Sequence, residues 1–192
     1  VDLTLSALVK RQSPEGNAST AIFYRDTALS FAELDRLGRK VARAFSDLGV
    51  RRGDRVGVWL PNVPAWHICL LACARLGATV VAINTRFRST ELAQILGKAE
   101  PRLLVLWPDF RGIDFVPSLG DCEKPALASI ASYVCYSEAG ADTARILGRP
   151  AYGWREVLAK PEFDQDHGEP ESGCVIFSTS GTTSAPKLAL HT

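Results

Sequence analysis

The sequence predicts an α/β fold: a mostly parallel sheet flanked by helices, with a small β element at its N-terminal end. Three observations carry this. From residue 30 to residue 107 short apolar runs alternate with segments of helical period, the order that βαβ units impose. One run, Ala78-Thr-Val-Val-Ala-Ile83, has a single polar residue, as a strand buried on both faces of a parallel sheet requires. Ahead of these units, Thr20–Arg25 and Ala28–Phe31 flank a turn at Asp26-Thr27, the pattern of a hairpin.

Each element follows in order. Residues 3–10, with Leu3, Leu5, Leu8 and Val9, suit a short helix, and Ser13-Pro14-Glu15-Gly16-Asn17 breaks the chain after it. Ser30-Phe-Ala-Glu33 is a capping-box sequence that opens the best-signalled helix. Leu34, Leu37, Val41, Phe45 and Leu48 form its buried stripe, and Gly49 ends it. Asp35, Arg36, Arg39, Lys40 and Arg43 take the other side, which is expected to be a solvated face. Residues 55–60 are a strand. A helix opened by Pro64 and closed by Gly77 leads to strand 78–83. The helix 89–99 stops before Pro101, and residues 102–107 are the next strand. Between 108 and 132, Pro117, Gly120 and Pro125 interrupt every period. Ser132–Tyr136 is a strand and Trp154–Lys160 a short helix. An acidic linker, 164–173, then leads to a buried strand at Cys174–Phe177.

Composition narrows the function. The 192 residues make one domain or a little more, and 22 basic against 21 acidic residues leave a net charge of +1. That balance points away from nucleic acid as a partner. The longest apolar region, Ile68–Ile83, is interrupted by Arg75 and Gly77 and falls short of the roughly 20 residues of a membrane span. Five cysteines, at 69, 73, 122, 135 and 174, form no framework and fit a reduced, cytoplasmic protein. His67, Cys69 and Cys73 match no zinc spacing, so no metal site is assigned. The four tryptophans, with apolar neighbours, are read as core, while Arg86 and Arg88 are read as exposed.

Chemistry concentrates in Ser178–Lys187, STSGTTSAPK, directly after the last apolar strand. Six hydroxyls, one glycine and one ammonium make a loop suited to phosphate. A Walker loop would fit Lys187 in register from Gly181, but Pro186 stands at the second glycine and Leu188 at the magnesium-binding hydroxyl. The glycine-rich turn of a dinucleotide fold is missing from the early strands, where Pro61-Asn62 and Asn84-Thr85 stand instead. A plain Ser/Thr-rich linker is the remaining reading.

Thr179-Ser-Gly-Thr-Thr-Ser-Ala-Pro-Lys187 resembles the phosphate-loop signature of the adenylate-forming enzymes, the AMP-dependent synthetase and ligase family of the acyl-CoA synthetase type. Leu29–Leu34, Gly49–Val56, Leu60–Asn62, Leu76–Ala78 and Asn84–Arg88 support it in order and spacing. The resemblance implies that Thr179, Ser180, Gly181, Thr182 and Thr183 wrap the ATP phosphates, and that Lys187 neutralises the departing pyrophosphate. It implies ATP, Mg2+ and coenzyme A as cosubstrates, a carboxylic acid as substrate, and an acyl-adenylate between the two half-reactions. Ser184 and Leu188 stand where the family usually has glycine.

The resemblance further implies that residues 1–192 are the N-terminal part of an AMP-binding (adenylation) domain, an incomplete form of the fold. The adenylation lysine is expected in a C-terminal domain absent from this chain, so no catalytic residue is assigned here and the isolated chain is expected to be inactive. Ser180–Lys187 is expected to be frayed or displaced, with five residues beyond it. The competing expectation is a non-catalytic binding module on the same fold, its exposed sheet edges covered by self-association into a homo-oligomer.

Overall fold

A computed structural model describes residues 4–12, 19–112, 115–138, 144–179 and 186–192. Helix α1 is Leu5–Arg11, capped by the Thr4 hydroxyl, which accepts from the Ala7 amide. The hairpin β1 (Thr20–Tyr24) and β2 (Thr27–Ser30) turns through Arg25-Asp26, one residue earlier than the sequence suggests, with Arg25 at φ 53°. In α2 (Phe31–Asp47) both capping-box bonds form: Glu33 N–H donates to Ser30 Oγ, and Ser30 N–H donates to Glu33 Oε2. The Ser30 N–H, and beside it the Ser30 hydroxyl, which also donates to Oε2, hold the Glu33 carboxyl below its usual range.

The alternating units then run β3 (Arg55–Trp59), α3 (Pro64–Leu76), β4 (Thr79–Ala82), α4 (Ser89–Ala99) and β5 (Leu103–Leu106). The interrupted stretch 108–132 holds α5 (Phe115–Gly120), with Pro117 in its first turn where a missing N–H costs no bond, and a 3₁₀ turn at Lys124–Leu127. After β6 (Ser132–Cys135) come β7 (Arg145–Ile146), β8 (Arg149–Gly153), α6 (Trp154–Leu158), β9 (Val175–Thr179) and β10 (Lys187–His191).

Among the described residues the main sheet has the order β10-β9-β4-β3-β5-β6-β8-β7. The six strands from β9 to β8 are parallel, and the antiparallel β10 and β7 lie at the two ends. The sheet is thus mixed and mostly parallel. Pleating divides the core between its faces: Val56, Val58, Leu103, Val105 and Val134 meet α2, α3 and α6. Trp59, Val81, Leu104, Leu106 and Tyr133 meet α4 and α5. On the first face α2 and α3 approach closely, since a Cβ on Gly38 would lie 3.1 Å from the Leu71 Cβ.

Two expectations change. The charged side of α2 is not simply solvated. Lys40 Nζ donates to the Leu158 carbonyl, the Arg43 guanidinium lies 5.2 Å from the Phe163 ring, and Arg39 is within ion-pair distance of Asp35, Glu162 and Asp164. The acidic segment before β9 lies along that face. Nor does Lys187 begin a frayed end, because it opens β10, whose five residues pair with all of β9. Ser180 to Ala185 lie outside the described residues.

Gly77 sits at φ 65° at the end of α3, and a Cβ there would come within 2.7 Å of the His167 carbonyl. Gly77→Ala is therefore expected to cost at least about 1–3 kcal/mol, read as a lower urea midpoint. An unchanged midpoint would mean that the 166–168 backbone yields without strain.

All five cysteines are free thiols. Burial raises Cys69 and Cys73 well above the ordinary thiol value and lifts Cys135 to about 11, so these are inert packing residues.

Candidate functional site

Strand β3 feeds α3 on one face of the sheet, while its neighbour β4 feeds α4 on the other. Loops that part in this way open a crevice at the carboxyl ends of the strands, where ligands of open α/β sheets bind. The crevice is present as a cleft of about 940 Å³. Its walls come from Pro61, Asn62 and Trp66 after β3, Asn84 and Thr85 after β4, Trp107, Phe110 and Arg111 after β5, Glu138 after β6, and Phe177 and Ser178 of β9.

Several contacts fix those walls. Trp59 Nε1 donates to the Asn84 carbonyl at 3.1 Å, and the Asn84 side-chain oxygen accepts from the Arg86 amide at 2.9 Å, so the post-β4 turn is held from both sides. Trp107 packs against Phe110 and edge-on against Tyr136, which in turn meets Trp154. Burial first, then the Glu138 charge, pushes the Tyr136 hydroxyl up to about 12, so it stays protonated. At the rim Glu138 accepts from Tyr24 Oη at 2.9 Å and pairs with Arg25 at 2.9 Å, joining the β1–β2 hairpin to the post-β6 segment.

The hydroxyl-rich loop starts at this cleft. Ser178 is in the wall, Thr179 ends β9, and Lys187 faces Thr179 as its Cα partner at the start of β10. The two ends of the motif are therefore brought together; Ser180, Gly181, Thr182 and Thr183 lie outside the described residues. Arg86 and Arg88 are exposed, as expected, and Arg88 donates to the carbonyls of its own turn, Thr85 and Phe87.

Other features escaped the sequence reading. Lys98 on α4 donates to the Pro186 carbonyl at 3.0 Å, securing the end of the loop, but one lysine on an amphipathic helix has no distinguishing signal. Trp66 and Trp107 are half-buried and line the cleft, whereas Trp59 and Trp154 are core. Among the described residues no group of three His, Cys, Asp or Glu side chains is placed to hold a metal, and no helix is long and apolar enough to cross a membrane.

A mostly parallel α/β sheet with a cleft at its switch point, where both ends of the hydroxyl-rich motif meet beside it, belongs to the class of open α/β domains that take ligands at the carboxyl ends of their strands. The family model described as AMP-binding enzyme matches residues 9–192, and the chain belongs to that family. The acetyl-coenzyme A synthetase of Salmonella typhi is 28% identical over 204 residues, covering 100% of this chain and 31% of the relative. An octahydroindenyl-propanoyl:CoA ligase of Rhodococcus jostii is 38% identical over 118 residues, 62% of this chain and 23% of the relative. Among solved structures, the acetoacetyl-CoA synthetase of Streptomyces lividans superposes with a TM-score of 0.84 at 22% identity, over 98% of this chain and 30% of that one. The anthranilate CoA ligase AuaEII, solved with anthranoyl-AMP, gives 0.82 at 24% identity, over 99% of this chain and 35% of that one. These likenesses establish the fold. The chain spans about a quarter to a third of the length of the curated relatives it matches.

Proposed function

We propose that this chain supplies the phosphate loop and part of the substrate cleft of an ATP-dependent, AMP-forming acid–thiol ligase. In the first half-reaction a carboxylate oxygen attacks the α-phosphorus of ATP, and the bond to the β,γ-pyrophosphate breaks to leave an acyl-adenylate. In the second the thiol of coenzyme A attacks the acyl carbon, AMP leaves with the bonding pair, and the thiol proton passes to solvent. Neither step asks the loop for a covalent nucleophile. Thr179, Ser180, Gly181, Thr182 and Thr183 are assigned to hold the phosphates through amides and hydroxyls, and Lys187 to neutralise pyrophosphate as it departs. Magnesium, which prefers phosphate oxygens and water to an all-protein cage, would arrive on the triphosphate.

The observation that carries this reading is the pairing of Thr179 with Lys187 at the carboxyl edge of the sheet, beside the cleft. It sets the two ends of the loop side by side, next to Ser178, which shares the cleft with Trp66, Asn84 and Trp107. The cleft, with indole walls and Arg25 and Arg111 at its rim, also suits a carboxylic acid with an apolar body.

The test is ATP–pyrophosphate exchange with a panel of carboxylic acids. It compares the 192-residue chain with the protein encoded by the uninterrupted reading frame that contains it. Exchange is expected from the longer protein only. Its absence there would overturn the ligase reading, and exchange by the 192 residues alone would overturn the proposal that they need further chain for adenine, ribose and the adenylation lysine.

A further inference from the structure

We propose that the acidic strap at residues 162–169 is an ion-paired latch that seats β9, and with it the base of the phosphate loop, on the sheet. The strap crosses the side of the molecule away from the cleft. Arg39, midway along α2, places Nη2 at 2.5 Å from Glu162 Oε2, Nη1 at 3.3 Å from Asp164 Oδ1 and Nε at 3.2 Å from Asp35 Oδ2. Arg75, in the last turn of α3, shares Asp35 at 3.0 Å and lies 3.9 Å from Asp166. Arg52 pairs with Glu169. Three arginines from the body of the domain thus meet four acids of the strap, and two of them, Arg39 and Arg75, also share Asp35.

The backbone follows the charges. The Phe163 amide donates to the Arg39 carbonyl at 3.1 Å and its ring is buried, while the His167 amide donates to the Arg75 carbonyl at 2.7 Å. A Cβ on Gly168 would fall 2.8 Å from the Ala74 carbonyl oxygen, so strap and helix end lie in direct backbone contact. The chain then enters β9, with the Gly173 carbonyl accepting from Thr79 Oγ1 at 3.0 Å and the Cys174 carbonyl from the Val80 amide at 3.0 Å.

Position in the sheet makes this anchorage matter. Among the described residues β9 joins the rest of the sheet through β4 alone, at Val175, Ile176 and Phe177, and its other neighbour is the edge strand β10. The hairpin's backbone pairing to the sheet is thus, among those residues, a three-residue ladder, supplemented by the Lys98–Pro186 bond, by packing of Ile176 and Leu188 on the α4 side, and by the strap. Such a unit opens locally before the central strands do.

The pairs differ in weight. Arg75 and Asp35, with side chains 9% and 17% exposed, form a buried pair whose breakage strands a charge. The pairs to Glu162, Asp164 and Glu169 are part-exposed and open to screening by salt. The latch should accordingly loosen by degrees as ionic strength rises.

Any effect on nucleotide rests on the ligase reading above, so the experiment uses none. Amide hydrogen exchange of the 192-residue chain is followed by mass spectrometry for wild type and for the isosteric pair Glu162→Gln with Asp166→Asn. Exchange in β9 and β10 is expected to quicken about five- to tenfold, the factor two partly exposed ion pairs supply, while β3 and β5 change less than about twofold on the same scale. Raising sodium chloride from about 0.05 to about 1 M on the wild type, across which the Debye length falls several-fold, is expected to act on the same two strands. Unchanged exchange in β9, or a uniform rise across the sheet, overturns the latch.

Discussion

Trp59→Ala is expected to cost about 3–5 kcal/mol, a fifth or more of the roughly 5–15 kcal/mol that holds a domain folded. Three separate losses coincide there. The indole is fully buried at the end of β3, in the centre of the sheet, so truncation opens a cavity that surrounding strands cannot fill. Its ring stacks on Phe115 at 4.4 Å and 16°, which ties α5 to the sheet. Its Nε1 proton goes to the Asn84 carbonyl, which would be left without that donor. Trp59→Phe separates the terms: a ring remains to meet Phe115, and the carbonyl keeps the Phe87 amide as its donor, so only one hydrogen bond is lost, at about 0.5–1.5 kcal/mol. Urea unfolding reads both variants. Because Asn84 forms part of the cleft, the alanine variant should also unfix the post-β4 turn before global unfolding. Wild-type midpoints for both variants would show that neither the stack nor the indole donor carries weight.

The sequence was most informative where one local signal was sufficient. The Ser30/Glu33 box forms both of its bonds, Gly77 adopts the left-handed conformation that ends α3, and the apolar run around Val80 and Val81 is buried between two strands and two helical layers. Where a signal was weak or absent, elements were missed. Pro150 sits in β8 facing Arg145 of a two-residue partner, and the connecting turn uses Leu147 and Gly148 at positive φ where an Asn-Gly pair would have announced it. β10 has no local signal of its own: Lys187 closes a polar loop in the sequence, and the Leu188–Leu190 stretch becomes a strand only with β9 beside it.

The site was legible as a motif and not as a place. Thr179 and Lys187 could be picked out by residue type, but their pairing depends on β10. The tryptophans could be counted, but Trp66 and Trp107 share a cleft only because β5 crosses to the far side of β3. The charges of α2 and of the strap were both visible too. Their union was not, since Arg39 and Asp164 are 125 positions apart and no local rule links them.

Lys187→Ala is the other large effect, expected in binding and not in stability. The residue opens an edge strand and is exposed, and its ladder to Thr179 is made by backbone, so truncation should move stability by no more than about 0.5 kcal/mol. A charge-assisted hydrogen bond to phosphate contributes about 1.5–3 kcal/mol, which predicts a loss of about ten- to a hundredfold in affinity for magnesium pyrophosphate or magnesium ATP. Calorimetry with each ligand checks this. Thr179→Ala, at the other end of the loop, removes a neutral hydroxyl and should weaken binding by roughly 1 kcal/mol. The order of the two effects is diagnostic. If the loop acts by charge, Lys187 outweighs Thr179 and Lys187→Arg restores most of the binding. If the loop is only a linker, neither variant changes the heat of mixing, and the phosphate assignment of the whole Thr179–Lys187 motif falls.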